Sequence, residues 1–599
     1  MAKRKLPQEV FGETDDSDED FYFGLPNTDS DRESDNYCSD SDSDIVPVKR
    51  QVRQLTISSD SETEENDENE NSNINEFTTW RDVTYTDQPQ SKTNFSTGSK
   101  TVGPNVPLNC TEPIDFFRLF FTDILLEKIV LETNKYAQNK IEKQSLSTRS
   151  TWNKWIDVTK EELSAFLGVV LNMGTIPVPN MQYYWTKDYI GNIPFFTNTF
   201  RRERFLQIFW MLHLNENVST NRNVSTRIQK VSNFLDYIAD KFRAYFTPDR
   251  EISIDESVVK FKGKISFITY NPKKPTKWGI RIYVLSDSHT GYIYALLPYY
   301  GSVTTDILIR PDLPVSSRIV LHLYHTLLTA NPEAKGYHIF TDRFFTGIPL
   351  AQELLKLNCY LTGTININRK YVPAVIKKPV LTKNNNVAAY RSGDILLLAW
   401  RDKRIVTILS SYDTSGTTII ERRKKQAGTV NIIKPNVVIN YNMNMGGVDK
   451  ADQLATSYCF MRKSCKWWRK LFFWGLEISA TNSYILYKAS ARRESRKPMS
   501  HFMFVRKLVA QLVGDFRDGA DSKPGRPSTS DKDERLNGKL HILRHCENVK
   551  SKDCTVCSNR KIKGGRHQTN YFCDTCPRKP GLHIGECFEK YHTKENYKT

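Results

Sequence analysis

Four aspartates carry the residue types for metal-assisted chemistry. Asp255 closes the run "EISID" at 251–255, where Ile252 and Ile254 share one strand face and Asp255 takes the other. Asp342 ends a second strand-like run, "YHIFTD". Asp449 and Asp452 stand three apart in "GGVDKADQ", which places both on one face of a helix. Taken singly, each is most simply a solvated acid. Together, carboxylates at the ends of neighbouring strands and on a packed helix can hold two Mg²⁺ ions, which favour oxygen ligands. Metals held in this way serve in-line phosphoryl transfer. Crowded carboxylates repel one another, so the cluster calls for a cation.

A second set of chemistry-bearing residues lies at the C-terminus. Six of the 11 cysteines fall at or after Cys546. The order is Cys554-x2-Cys557, Cys573-x2-Cys576, His583-x3-Cys587 and His592, a zinc-ligand spacing. Seven ligands are one short of two tetrahedral sites, and His541, His545 and Cys546 compete for the eighth place. So short a segment makes a thin core, so zinc would also supply folding energy.

Two basic stretches offer phosphate contacts. "NPKKPTKWGIR" brings Lys273, Lys274, Lys277 and Arg281 to the start of a strand and is the better candidate. "MRKSCKWWRKLFFW" combines Arg462, Lys463, Lys466, Arg469 and Lys470 with Trp467 and Trp468. Its aromatics suit base stacking or, equally, the core side of an amphipathic helix.

The elements that must position these residues follow from composition and periodicity. Residues 1–80 hold 22 acidic and seven basic residues, a net of −15, while the rest of the 599-residue chain carries +32. A body this basic favours a polyanion, with nucleic acid foremost. No apolar run approaches the roughly 18 residues of a membrane span, and "MAKRKLPQEV" lacks a signal-peptide core. An intracellular protein with reduced thiols and no membrane partner is expected. Residues 1–110 read as a disordered acidic tail. Its "SDSDSD" and "SSDSETEE" place acids just after serines, the pattern an acid-directed kinase would use.

Residues 111–250 read as helical, with a capping-box pattern at Thr159 and Glu162 and a basic face in "TFRRERFLQIFWMLHL". From 251 to 366 the order is β-β-β-α-β-α-β, that of a ribonuclease-H-like mixed sheet in a multidomain α/β protein. Residues 367–436 read as a β-rich insertion, with a hairpin turning near Arg401–Lys403 and a basic loop, "ERRKKQAG". Helices resume over 437–495, a helical segment and linker follow over 496–540, and the cysteine-rich module spans 541–599.

"SIDESVVKFKGK", "NPKKPTKWGIRIYVLSDSHTGYI", "HIFTDRFFTGIPL" and "YNMNMGGVDKADQ" together resemble the piggyBac family of DNA transposases, from about residue 112 to the C-terminus. The resemblance implies that Asp255, Asp342 and Asp449 form a catalytic triad and that Asp452 is a further acid at the site. It implies a ribonuclease-H-like domain flanked by a helical dimerisation and DNA-binding domain. It favours His541 as the eighth zinc ligand, in a cross-brace module that binds transposon-end DNA. Cut-and-paste transposition at TTAA targets through a hairpin intermediate is the implied activity, by a homodimer on double-stranded DNA in the nucleus. A catalytically silent DNA-binding protein and a chromatin-interaction protein of the same fold are the competing readings, and the presence of all four acids favours the active enzyme.

Overall fold

The computed structural model describes residues 79–599, apart from 89–90, 144–145, 147–149, 216–226, 273–275, 382–385, 425–427, 461–463, 465, 519–534, 539, 547–550, 561, 563, 595 and 599. The chain divides into two compact units, Met1–Asp518 and Gly519–Thr599. No helix among the described residues is long and apolar enough to cross a membrane.

The first unit opens with helices α1 (Asp123–Glu142), α2 (Lys160–Thr175), α3 (Arg202–Met211) and α4 (Ser232–Tyr245). Thr159 caps α2, its hydroxyl accepting from the Glu162 N–H at 3.2 Å. The reciprocal half of the expected capping box is replaced. The Glu162 carboxylate instead takes the Arg204 guanidinium at 2.6 Å, and both side chains are buried. Arg204 of the expected basic face is therefore inside the helical layer.

A mixed sheet follows. Its strands are β1 (Glu251–Lys260), β2 (Trp278–Asp287) and β3 (Ile293–Pro298), then helix α5 (Val315–Ala330), β4 (His338–Thr341), helix α6 (Ile348–Lys356) and β5 (Tyr360–Thr364). The spatial order is β3-β2-β1-β4-β5, antiparallel among the first three and parallel from β1 through β4 to β5. Alternation along β1 assigns the two faces. Ile252 and Ile254 pack with Ile319, Val320 and Leu323 of α5 and Leu350 and Leu354 of α6. Val259 joins Ile280, Ile282 and Val284 of β2 against α4 and the helical layer on the other face. Helices thus cover both sides, as a largely parallel centre requires.

Residues 387–410 widen this sheet. Strands β6 (Val387–Ser392), β7 (Ile395–Arg401) and β8 (Ile405–Ser410) form an antiparallel meander whose last strand pairs with β5. The turn between β7 and β8 spans 402–404, at the expected place. The expected basic loop is different. Glu421–Lys424 lie within strand β9 (Thr417–Lys424), which pairs with β10 (Gly428–Pro435) as a two-stranded ribbon. Helices α7 (Asn436–Asn444), α8 (Gly447–Ser457), α9 (Trp467–Arg493) and α10 (His501–Val513) complete the unit.

The N-terminal tail also departs from expectation. Residues 1–78 and 89–90 lie outside the described residues, but parts of 79–88 and 91–110 are docked on the body. Arg81–Asp82 adds a short strand to β6, and Ser96 bridges Lys335. Asp87 forms a bidentate pair with Arg391, both bonds 2.7 Å and both side chains almost fully buried. Trp80, Val83 and Phe95 of the strap also pack on the body, but they are too widely and irregularly spaced to show a helix or strand period, so low hydrophobicity hides the strap in the sequence.

Candidate functional site

Strand register brings the first two acids together. Ile254 is the register partner of Thr341, so Asp255 and Asp342 each follow that pair on neighbouring parallel strands. Backbone N–H groups orient both carboxylates. Glu256 donates to Asp255 Oδ1 at 2.8 Å, and Phe344 donates to Asp342 Oδ1 at 3.0 Å.

Helix α8 carries the other two acids onto the same face. Ser253, Asp255 and Ser257 alternate on that face of β1. Gly447, in the first turn of α8, lies against Ser253, and Ser257 Oγ donates to Asp452 Oδ1 at 2.6 Å. Asp449 lies between Gly447 and Asp452 in the helix, and Asp255 lies between the two serines in the strand. The i, i+3 spacing therefore lines α8 up along β1. Asp449 is exposed, while Asp255, Asp342 and Asp452 are half-buried.

Tyr441 of α7 joins them. Burial pushes its hydroxyl up to about 12, a hydrogen bond with Thr364 opposes this, and the charges of Asp342, Asp255 and Asp449 add to the rise. A single phenol thus lies within electrostatic reach of all three carboxylates, Asp255 midway along β1, Asp342 just after β4 and Asp449 in the first turn of α8. Sequence reasoning passed over Tyr441 and Ser257. Ser257 stands two after Asp255 on the same strand face, whereas Tyr441 lies on the separate helix α7 and no local spacing ties it to the acids. The two-residue step from Asp255 was the available signal for Ser257. The all-oxygen donor set fits a hard cation such as Mg²⁺.

The basic candidates separate. Lys277 is exposed and Lys466 half-buried. Lys273, Lys274, Arg462 and Lys463 lie outside the described residues. Arg281 is only 3% exposed, within reach of the Tyr283 and Phe344 rings. Arg469 is fully buried, donates to the Trp210 carbonyl and lies among the Phe209, Trp210 and Trp468 rings. Trp467 and Trp468 are buried too. Lys470 is half-buried, and burial lowers its ammonium while Glu477 opposes that. The α9 stretch is therefore core on its Trp467, Trp468 and Arg469 side. Arg281 and Arg469 are buried, so neither presents its guanidinium to a phosphate.

The second unit gathers all eight expected zinc ligands into two groups. His541, Cys573, Cys576 and His592 form one, and Cys554, Cys557, His583 and Cys587 the other, with ligand atoms in each within 4.8 Å of one another. The groups alternate along the chain, which is a cross-brace. His541 Nδ1 lies 3.7 and 3.5 Å from Cys573 and Cys576 Sγ, His592 Nε2 lies 3.4 Å from Cys576 Sγ, and His583 Nδ1 lies 3.4 Å from Cys557 Sγ. A tetrahedral zinc with ordinary Zn–S and Zn–N bonds predicts an S···N edge of about 3.6 Å, so the groups fit the ion. The far ring nitrogens of two histidines are held by carbonyls. His592 Nδ1–H donates to Phe588 at 2.8 Å, and His583 Nε2–H donates to Gln568 at 3.1 Å. His545 instead packs on Tyr571, and neither it nor Cys546 joins a group. Arg535 was missed by sequence. It is buried and donates to the Tyr591 and Lys594 carbonyls at 2.6 and 2.7 Å, capping the C-terminal end of helix Glu586–Thr593.

Comparison with known proteins agrees with both units. A family profile described as Transposase IS4 matches residues 112–484, and one described as DDE_Tnp_1-like zinc finger matches 536–593. PiggyBac transposable element-derived protein 3 of Homo sapiens is 25% identical over 525 residues, covering 86% of this chain and 81% of its own. PiggyBac transposable element-derived protein 5 of Homo sapiens is 25% identical over 422 residues, covering 67% of this chain and 75% of its own. The fold is similar to that in the cryo-EM structure of a piggyBac transposase synaptic complex with hairpin DNA, with a TM-score of 0.60 and 23% identity over 78% of this chain and 97% of that one. The chain therefore belongs to the Transposase IS4 family, and the relatives it resembles include piggyBac transposable element-derived proteins.

Proposed function

We propose that this protein is a cut-and-paste DNA transposase that cleaves and rejoins strands at the ends of an element and integrates at TTAA targets. The observation that carries the reading is the meeting of three chain segments: the pairing of Ile254 with Thr341 sets Asp255 beside Asp342 on neighbouring strands, and Ser257 holds Asp452 of the helix that also carries Asp449. The order β3-β2-β1-β4-β5, three antiparallel strands followed by two parallel ones, supports a ribonuclease-H-like catalytic domain.

Asp255, Asp342 and Asp449 are the residues that would hold Mg²⁺, with Asp452 beside them. Bound there, Mg²⁺ supplies activation of the attacking hydroxyl and stabilisation of the leaving oxygen. The protein's own part is positioning. Two backbone N–H groups fix the Asp255 and Asp342 carboxylates, and Ser257 ties Asp452 to β1. Tyr441 stays protonated at neutral pH and offers an O–H donor among acceptors. Exposed Lys277 is the described basic residue of its stretch best placed to meet phosphate. The zinc module is assigned recognition of double-stranded end DNA. Joining two ends calls for two catalytic centres, so a homodimer acting in the nucleus belongs to the same reading.

The test is excision in vitro. The full-length protein, Mg²⁺ and a plasmid carrying the element's own ends beside TTAA should yield linear excised element. Tight binding to those ends without any nicking would instead support a silent DNA-binding protein.

A further inference from the structure

Asp342 sits on a turn just after β4 rather than inside a strand, so sheet pairing alone does not fix its carboxylate. The turn closes on itself at its two ends. The Thr346 N–H donates to the Asp342 carbonyl at 3.1 Å, and Thr346 Oγ1 donates to the same carbonyl at 2.7 Å. Thr346 Oγ1 also meets Thr341 Oγ1 at 2.7 Å, and both threonines are fully buried. The middle of the turn is Phe344, whose N–H orients Asp342 Oδ1.

Phe344 is held from two further sides. Its half-buried ring packs edge-on against the fully buried Phe345, with centroids 4.9 Å apart, and lies 5.8 Å from the Arg281 guanidinium. Its carbonyl accepts from Arg369 Nη2. Arg369 Nη1 also donates to Ser316 Oγ, in the first turn of α5, at 3.4 Å. One planar guanidinium thus spans from the Asp342 turn to a helix of the core, which a point-like ammonium does less well.

Arg369 is itself set in place by its loop, which follows β5. Ile365 and Val372, either side of it, are buried in the same core as Phe345. The Arg369 N–H donates to the Asn366 carbonyl at 3.1 Å, the Val372 N–H donates to the Arg369 carbonyl at 3.3 Å, and the Asn368 N–H donates to Asn366 Oδ1 at 3.1 Å. The loop therefore turns back on itself and carries Arg369, half-buried, to Phe344. The contact joins residues 25 apart in sequence, so it forms only once β4, α6 and β5 are in place.

We propose that Arg369 is a positioning residue for the cation site. By holding the Phe344 carbonyl it keeps the Phe344 N–H on Asp342 Oδ1, and so fixes the direction from which that carboxylate meets a divalent cation. Outer-shell partners of this kind orient metal ligands and tune their affinity. The inference rests on the reading of Asp342 as a cation ligand, but its first test needs no cleavage.

The experiment titrates Mn²⁺ into the zinc-loaded full-length protein without DNA and follows free Mn²⁺ by electron paramagnetic resonance. Mn²⁺ stands in for Mg²⁺ and leaves the zinc in place, because nitrogen and sulfur ligands hold zinc more tightly. D342N marks any Mn²⁺ bound elsewhere. R369M keeps an apolar stem and loses both donors, so its Mn²⁺ affinity should fall about tenfold with the wild-type melting temperature. R369K should recover part of that loss, since one charged donor can still reach a carbonyl. In nicking assays the Mg²⁺ concentration for half-maximal rate should rise about tenfold in R369M, while affinity for end duplex without divalent cations stays at the wild-type value. A merely structural residue would lower the rate at every Mg²⁺ concentration. Should R369M fail to fold, R369Q, whose side chain is too short to span the same gap, carries the same expected shift. Wild-type Mn²⁺ affinity in the folded variant overturns the proposal, and Mn²⁺ uptake that D342N leaves unchanged overturns it together with the reading of Asp342. Wild-type protein that takes up Mn²⁺ through Asp342 but never nicks DNA would count against the transposase reading while leaving the Arg369 comparison intact.

Discussion

A Cβ on Gly447 would lie 2.3 Å from Ser253 Oγ, so helix α8 rests directly on strand β1 at the residue two before Asp255. Ser286 Oγ would be 2.6 Å away and the Asp287 carbonyl 3.0 Å. The two serine hydroxyls are buried and bonded to each other at 3.0 Å, so they have little room to turn away. Gly447→Ala must therefore lift the helix that carries Asp449 and Asp452. Strand cleavage should fall at least about a hundredfold while DNA binding holds, since a misplacement near 1 Å already costs that much. Parallel nicking and gel-shift assays check this, and normal nicking would refute the close seat.

The docked strap sets where the tail can be cut. Deleting residues 1–78 should leave the melting temperature unchanged. Deleting 1–100 also removes Asp87 and leaves Arg391 buried without its carboxylate, a loss of about 3–5 kcal/mol for a buried pair. Asp87→Ala in the full chain should reproduce most of that loss in denaturant unfolding.

How far the sequence was legible depends on the kind of signal. Two-residue alternation around Ile252 and Ile254 gave the strand and the side that Asp255 takes, because a half-buried strand writes its faces into every second residue. The i, i+3 pair of Asp449 and Asp452 gave their shared face for the same reason at helical period. The zinc ligands were readable because coordination fixes spacing. Arg281 and Arg469 were misleading, since composition does not reveal that a basic residue is enclosed by aromatic rings. Asp87 and Tyr441 were invisible for a related reason. Their partners, Arg391 and Thr364 with the carboxylates, are set by long-range topology rather than by local pattern.

Stability should carry a pH dependence from Glu477. Burial pushes its carboxyl from the ordinary 4.5 up to about 8, although the Phe460 N–H, donating at 2.6 Å, and Lys470 pull it back. Between those two values the folded chain holds a proton that the unfolded chain has released. Stability contributed by this group therefore falls as pH rises across that window, by at most about 1.4 kcal/mol per unit. Glu477→Gln keeps a carbonyl acceptor for Phe460 without the charge. Its unfolding free energy should be flatter from pH 5 to pH 8 than that of wild type, and an identical slope would remove Glu477 as the source.

The cross-brace predicts metal content. The full chain should hold two zinc ions, His541→Ala one, and His545→Ala two. Elemental analysis after gel filtration gives the answer directly. Two ions in the His541 variant would mean that another residue completes that site. A strong chelator should unfold the module, since Cys554, Cys573 and Cys576 make up half of its buried cluster.

The central claim is that Asp255, Asp342 and Asp449 together form a metal-dependent strand-cleaving site. The direct measurement is Mg²⁺-dependent nicking of end DNA by Asp255→Asn, Asp342→Asn and Asp449→Asn, with DNA affinity measured in parallel. The account predicts that each substitution abolishes nicking and leaves affinity within a few-fold of wild type, because affinity comes from distributed basic contacts. Near-normal nicking by any one of the three variants would contradict it.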